Sequence, residues 1–175
     1  MEKRMLTAYI TYLEMTQRPA TRPPLPTGQP LALLRARNMS TAYYRFLYEE
    51  VGKAHHWMMR RKLDNAALDA IINSETTRID VLYVEGCPAG YFEIDAARKP
   101  DEVEIAYFGL IGQYTGTGLG RWFLGAAIDA AWDFGPAKVV VHTNSLDHPR
   151  ALPLYQKMGF VPVGRGEEQV EAWED

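Results

Sequence analysis

The stretch from Gln113 to Leu124 reads QYTGTGLGRWFL, with glycine at 116, 118 and 120 directly ahead of apolar residues at helical spacing. Glycine is about 1 kcal/mol worse than alanine in a helix, so three of them at a helix entrance need a use that offsets the penalty. The first turn of a helix carries backbone N–H groups without intrahelical partners, and the helix dipole makes that end attractive to anions. Glycines let phosphate oxygens approach the main chain and permit the positive-φ turns that aim several N–H groups inward. The chemistry implied is phosphate binding; the plain structural alternative is a tight strand-to-helix turn. No Lys-Ser/Thr pair follows, so the string is not a P-loop, and G-x-G-x-G departs from the G-x-G-x-x-G of dinucleotide folds.

The elements around the string would have to position it. EVEIAYFGLI (102–111) reads as a strand, and a helix follows with Leu119, Trp122, Phe123, Ala126, Ala130 and Phe134 at helical spacing, ending at Gly135-Pro136. AKVVVHTN (137–144) has the apolar run of a buried strand, and PRALPLYQKMG (149–159) reads as a helix with Pro149 near its start and Gly159 past its end. Strand, helix and strand over 102–143 predict a right-handed crossover between parallel strands. Earlier in the chain, MLTAYITYLEM (5–15) alternates as a strand, LALLRAR (31–37) reads as a short strand, and helices are predicted over 40–52 and 64–74. RIDVLYVEG and AGYFEIDA flank Cys87-Pro88 as a hairpin. FVPVGRG is strand-like, with QVEAW as a candidate last strand. The sheet is mixed and carries helices on both faces.

Composition limits the classes of function. With 47% apolar residues the chain can build a proper core, and no apolar run approaches the roughly 20 residues of a membrane span. The N-terminus lacks the unbroken apolar centre of a signal peptide, which reads as a cytoplasmic protein with no membrane partner. Cys87 is the only cysteine, so neither an internal disulfide nor a multi-thiolate metal site is available, and in its turn-like context a structural role is expected. A net charge of −3 offers no basic footprint for a nucleic acid. Five prolines fall between Thr16 and Pro30, which makes that segment a loop.

Two motifs together carry a resemblance. Gln113-x-x-Gly116-x-Gly118, followed by Leu119-Gly120, resembles the Q/R-x-x-G-x-G/A signature of the GNAT superfamily of acyl-CoA-dependent N-acyltransferases. ALPLYQKMGF resembles that family's A-x-x-x-Y-x-K-x-G-F hallmark at Ala151, Tyr155, Lys157, Gly159 and Phe160. The resemblance covers roughly residues 31–168. It implies an α+β fold of three α/β/α layers, with a mixed, mostly antiparallel sheet whose two central parallel strands splay apart. Residues 1–30 are then an extra strand and a proline-rich arm, and 31–175 one acetyltransferase domain.

The implied activity is transfer of acetyl from acetyl-CoA, as co-substrate and without a metal, to a primary amine in a ternary complex. The alternative is a non-catalytic acyl-CoA-binding module on the same fold. The pyrophosphate would lie on the backbone of Thr115, Gly116, Thr117, Gly118, Leu119 and Gly120, with Gln113 leading the motif and Arg121 assisting. The pantetheine arm would pair with the main chain of Leu110 and Ile111, and Ala151 would face the cofactor. Tyr155 matches the family's tyrosine near the sulfur, a candidate acid. Glu104, on the strand before the cradle, matches a strand position that serves some members as base, and an apolar wall beside it would raise its pKa.

His148 stands where the family often has asparagine; capping or cofactor contact is favoured for it over catalysis. Asn144 ends the buried strand near the expected acyl site. The loop between the first two helices would shape the acceptor site, with His56 and Trp57 as substrate candidates beside His55, and Arg60 or Arg61 available to an acidic substrate. Trp57 in the core and the arginines as a solvated face is the equal alternative. The proline-rich arm either covers the cleft or meets a second subunit, and the extra N-terminal segment suits a homodimer.

Overall fold

A computed structural model describes residues 2–174. The strands are β1 (Met5–Met15), β2 (Leu31–Arg35), β3 (Thr77–Val84), β4 (Cys87–Asp95), β5 (Glu102–Leu110), β6 (Lys138–Asn144) and β7 (Val161–Glu171). The helices are α1 (Thr41–Gly52), α2 (Asn65–Ile72), α3 (Leu119–Trp132) and α4 (Ala151–Lys157). Ser40 and Asp64 cap α1 and α2 by accepting from the Tyr43 and Ala67 N–H groups, as their polar side chains at a helix entrance should.

One seven-stranded sheet runs β2-β3-β4-β5-β6-β1-β7, antiparallel throughout except between β5 and β6. This is the expected mixed, mostly antiparallel α+β sheet with one parallel pair. That pair is hydrogen-bonded only at its start, where Glu102, Val103 and Glu104 face Lys138, Val139 and Val140. Beyond Glu104 the two strands part. In β5, Ile105 and Tyr107 face the consecutive β4 residues Ile94 and Glu93, which leaves Ala106 as an extra, unpaired residue. Such a bulge bends and twists the strand that carries it, at the point where the pairing with β6 ends.

Two cores sit on opposite faces. Val103, Ile105, Val139, Val141, Leu13 and Met15 face α3 and α4. Ile79, Val81 and Tyr91 face α1 and α2. Gly109 lets Val51 of α1 lie directly on β5, because a Cβ there would collide with the valine.

Three features differ from the sequence reading. The β3–β4 turn is Glu85-Gly86, both at positive φ, rather than Cys87-Pro88. A two-residue hairpin loop of this twist needs φ > 0 at both positions, and glycine meets that more readily than proline can. FVPVGRG and QVEAW fall largely in one strand, β7, because its partner β1 runs beside it from Met5 to Glu14 and bridges the bulge near Pro162. Third, β1 lies inside the sheet between β6 and β7 and contributes Leu13 and Met15 to the core. The proline-rich arm lies along α3. Arg18 bonds Asp129 and Asp133, Arg22 pairs with Asp129, and Pro23 occupies the space a Cβ on Gly125 would need.

Candidate active site

A cavity of about 630 Å³ occupies the gap between the parting strands, within the range of small-molecule sites. Its wall takes in β5 from Ile105 to Leu110, and His142 and Asn144 of β6. One end reaches the start of α3, where Thr115, Gly116, Gly118, Gly120 and Arg121 line it opposite Arg150, Ala151 and Tyr155. The other end is walled by His55, His56, Trp57 and Met59 after α1, and by Glu168 and Gln169 of β7.

The phosphate end follows from local conformation. Gly116 and Gly118 have φ of 73° and 85°, a region glycine enters without steric cost. Gly118 is the N-cap of α3 and offers no side-chain cap, so the first-turn N–H groups have no side chain in front of them. A Cβ on Gly118 would meet nothing within 4 Å, and one on Gly116 would meet only Arg150 Nη1 at 3.9 Å. The space before these amides is therefore open, and Arg121 and Arg150 stand beside it. Leu119 is buried in the core, so only its main chain faces this end. Thr115 and Thr117 turn their hydroxyls back onto the carbonyls of Gly112 and Tyr114, which fixes the loop. Gln113 lies in an exposed single turn ahead of them. This arrangement has the open amides and flanking cations of an anion cradle.

Along the gap, Leu110 pairs with Gly90 and lines the cavity, whereas the Ile111 N–H is spent on the Ala89 carbonyl. Tyr155 is buried, its ring between Phe108 and Phe160 at 6.5 and 5.8 Å. Burial, with the charge of Asp147 adding to it, pushes the Tyr155 hydroxyl well above the ordinary tyrosine range, so it keeps its proton at neutral pH. Asn144 Oδ1 accepts from the Leu146 N–H, and His148 Nδ1 accepts from the Arg150 N–H in the turn that starts α4. His148 thus holds the entry to that helix and also lines the cavity.

Glu104 differs from its expectation. It is not part of the cavity wall; its Oε1 lies 3.4 Å from His142 Nδ1 and its Oε2 3.2 Å from Arg98. The contact with His142 holds the carboxyl below the ordinary range, against the opposing effect of burial, with the charge of Arg98 helping. The anticipated upward shift is therefore reversed: cations reach the carboxylate where an apolar wall was expected. His142 itself was not singled out from the sequence. VVVHTN reads as an ordinary strand, and only the parallel register reveals that the imidazole meets a carboxylate. Arg150 was likewise missed, for lack of a motif position that marks it.

At the acceptor end, Trp57 packs over Gly52 and donates its Nε1–H to Asp147 at 3.3 Å, and His55 Nδ1 lies 3.1 Å from the Leu146 carbonyl. These bonds tie the loop after α1 to the loop after β6. His56 accepts from the Trp173 N–H. Arg60 is committed to Glu93 at 2.7 Å, Arg61 is exposed and lies over the Trp173 ring, and neither lines the cavity. Among the described residues, no group of three or more His, Cys, Asp or Glu could hold a metal ion, and no helix is long and apolar enough to cross a membrane.

An open sheet split at its parallel pair, with a glycine-entered helix at the mouth of the split, defines an acyl-CoA-dependent acyltransferase fold. The chain belongs to the acetyltransferase (GNAT) family, whose sequence profile matches residues 36–160. Membership supports acyl transfer from an acyl-CoA in general terms. No match is found among curated proteins. Solved structures share the fold at low identity. A GCN5-related N-acetyltransferase from Kribbella flavida is 16% identical with a TM-score of 0.63, over 98% of this chain and 61% of that one. A tandem GNAT protein from the clavulanic acid biosynthesis pathway is 15% identical with a TM-score of 0.64, over 95% of this chain and 54% of its own. An aminoglycoside acetyltransferase from an uncultured soil metagenomic sample is 17% identical with a TM-score of 0.57, over 73% and 86%. The chain thus spans between half and two thirds of the length of the first two.

Proposed function

We propose that this protein is an N-acetyltransferase that moves acetyl from acetyl-CoA to a primary amine by direct attack in a ternary complex. The observation that carries the reading is the joining of two features by one cavity: the open first turn of α3 behind Gly116 and Gly118, and the buried Tyr155 on the wall of the gap between β5 and β6. The α3 amides, with Arg121 and Arg150, hold the diphosphate. The main chain of Leu110 is the candidate partner for the pantetheine arm, and Asn144 and Ala151 line the gap where that arm lies.

Chemistry then needs three things. The amine must lose a proton, since a lysine-type amine has a pKa of about 10.4. Its nitrogen forms a bond to the thioester carbonyl carbon while the carbon–sulfur bond breaks. The departing sulfur must gain a proton, which Tyr155, protonated at neutral pH, supplies. Glu104 belongs to the base side of this scheme. His56 and Trp57 border the acceptor.

The test is incubation of the purified protein with acetyl-CoA and a panel of primary amines, following thiol release and acetylated product. Amine-dependent thiol release is the expected result. Tight acetyl-CoA binding with no transfer to any amine would instead favour a non-catalytic acyl-CoA-binding module.

A further inference from the structure

Four histidines occur in the chain, and three of them have Nδ1 engaged with the main chain. His55 meets the Leu146 carbonyl, His56 accepts from the Trp173 N–H, and His148 accepts from the Arg150 N–H. His142 alone has its Nδ1 against a carboxylate, Glu104 Oε1 at 3.4 Å. It sits two residues beyond Val140, the last β6 residue paired with β5, so it stands where the strands have begun to part and lines the cavity. Its side chain is 46% exposed, and the Tyr12 ring of β1 flanks it at a centroid distance of 5.8 Å. Glu104 is spent on both oxygens, and Arg98, which holds Oε2, also bonds Glu102. Two carboxylates on the wall are committed to other partners. Asp147 accepts from Thr143, from the Asn144 N–H and from Trp57, and Glu171 is paired with Lys3 and Lys62.

We propose that His142 is the group that takes the proton from the attacking amine, and that Glu104 is a positioning residue that orients the imidazole through Nδ1. The proposal rests on the acetyltransferase reading above and names the base for that same site. With Nδ1–H turned to Glu104, Nε2 carries the free lone pair. One proton leaves the ammonium through Nε2 to solvent, the neutral nitrogen attacks the carbonyl carbon, and Nε2 takes the second proton from that nitrogen as the carbon–sulfur bond breaks. Tyr155 gives its proton to the thiolate, and proton return from His142 to solvent and from solvent to Tyr155 restores both groups. The groups facing His142 are Glu104 of β5, Tyr12 of β1, Glu168 of β7 and Asp147 of the following loop. The contact with Glu104 first, then the charges of Glu104, Asp147 and Glu168, raise the imidazole above the ordinary histidine range despite partial burial.

Two readouts test this. Proton NMR titration of the histidine ring signals, with the His142 signal identified by its loss in His142→Gln, should show the His142 midpoint fall in Glu104→Gln. In parallel, kcat/KM for amine acetylation is followed against pH. Wild type should lose activity as pH falls through the His142 pKa. His142→Gln should fall about 100-fold and lose that acidic limb, within the range of general base catalysis. Glu104→Gln should fall about tenfold, with the limb moved to lower pH. An active wild type with an equally active His142→Gln overturns the base assignment. An unmoved His142 midpoint in Glu104→Gln overturns the positioning role. A wild type that binds acetyl-CoA yet transfers to no amine defeats the transferase reading itself, and the base assignment with it.

Discussion

Replacing Tyr155 with phenylalanine separates a catalytic hydroxyl from a packing residue. The ring lies between Phe108 and Phe160, and phenylalanine preserves both contacts. No hydrogen bond to protein holds the hydroxyl among the described residues, so its removal breaks none. Tyr155 lines the cavity, so the change leaves no cavity in the core and no partner group unpaired, and neither of the usual large destabilising mechanisms applies. Stability of Tyr155→Phe should therefore match wild type, measured as the urea midpoint. Activity should not. Loss of a general acid costs about 100-fold or more, and 100-fold corresponds to about 2.7 kcal/mol of transition-state stabilisation. The assay is single-turnover thiol release at saturating acetyl-CoA, alongside acetyl-CoA affinity by calorimetry. The drop should fall on turnover, with affinity changed little. Because burial drives the hydroxyl upward, the wild-type profile should also show no tyrosine-dependent decline at ordinary alkaline assay pH. A variant with full turnover, or one that is destabilised and weakly binding in proportion to its lost rate, would refute the reasoning.

Other perturbations probe the supporting structure. Gly120→Trp puts a ring into the cradle, where a Cβ meets only Leu154 Cδ2 at 3.8 Å, at a helical glycine with no positive φ; it should abolish acetyl-CoA binding in calorimetry while the apo protein keeps its melting temperature. Glu93→Met leaves Arg60 and the Tyr44 hydroxyl without their shared partner in the interior, and removing one member of a buried pair costs about 3–5 kcal/mol, to be read from denaturant unfolding. For the His142–Glu104 pair, the lowered carboxylate pKa gives stability that is lost as pH falls through it, and the raised histidine pKa gives stability that is lost as pH rises through it. The unfolding free-energy difference between wild type and Glu104→Gln should thus peak in mildly acidic solution and shrink toward both acid and alkaline pH.

What could be read in the chain was local. The glycines at 116 and 118 announce positive φ, and both have it. Helix α3 follows from its period and strand β6 from its apolar run bounded by a turn signal, and the parallel crossover follows from the order of strand, helix and strand. The remainder depends on pairings that sequence spacing does not encode. Tyr12 and His142 face each other across β1 and β6, and Tyr9 lies opposite Glu167 across β1 and β7. A strand at the N-terminus carries no mark saying it will insert near the C-terminal edge. Glu93 looks like the polar member of an alternating strand, yet it is 1% exposed because Arg60, from an ambiguous loop, and the Tyr44 hydroxyl close over it. Glu104 was visible as a carboxylate on the right strand, but the direction of its pKa shift was set by His142 and Arg98, neither of which its own neighbours in sequence could supply.

The site is also divided by origin. The family profile ends at 160 and begins at 36, so β1 and β7 both lie outside it, and they pair with each other along most of their length. Everything at the phosphate end, from Thr115 to Tyr155, comes from inside the matched range. The far wall is mixed: His55, His56, Trp57 and Met59 lie inside the range, whereas Glu168 and Gln169 come from β7, and Tyr12, which flanks His142, comes from β1. Gly164 and Gly166 of β7 lie against the Tyr12 ring, so the ribbon fixes the aromatic that stands beside the imidazole. β7 and β1 thus add side chains to the cavity that the family profile does not cover, which makes them the place to look for substrate choice. On that division, exchanging β7 residues such as Glu168 should redistribute activity among amines at nearly constant acetyl-CoA affinity, whereas changes at Gly118 or Arg150 should weaken every acceptor alike.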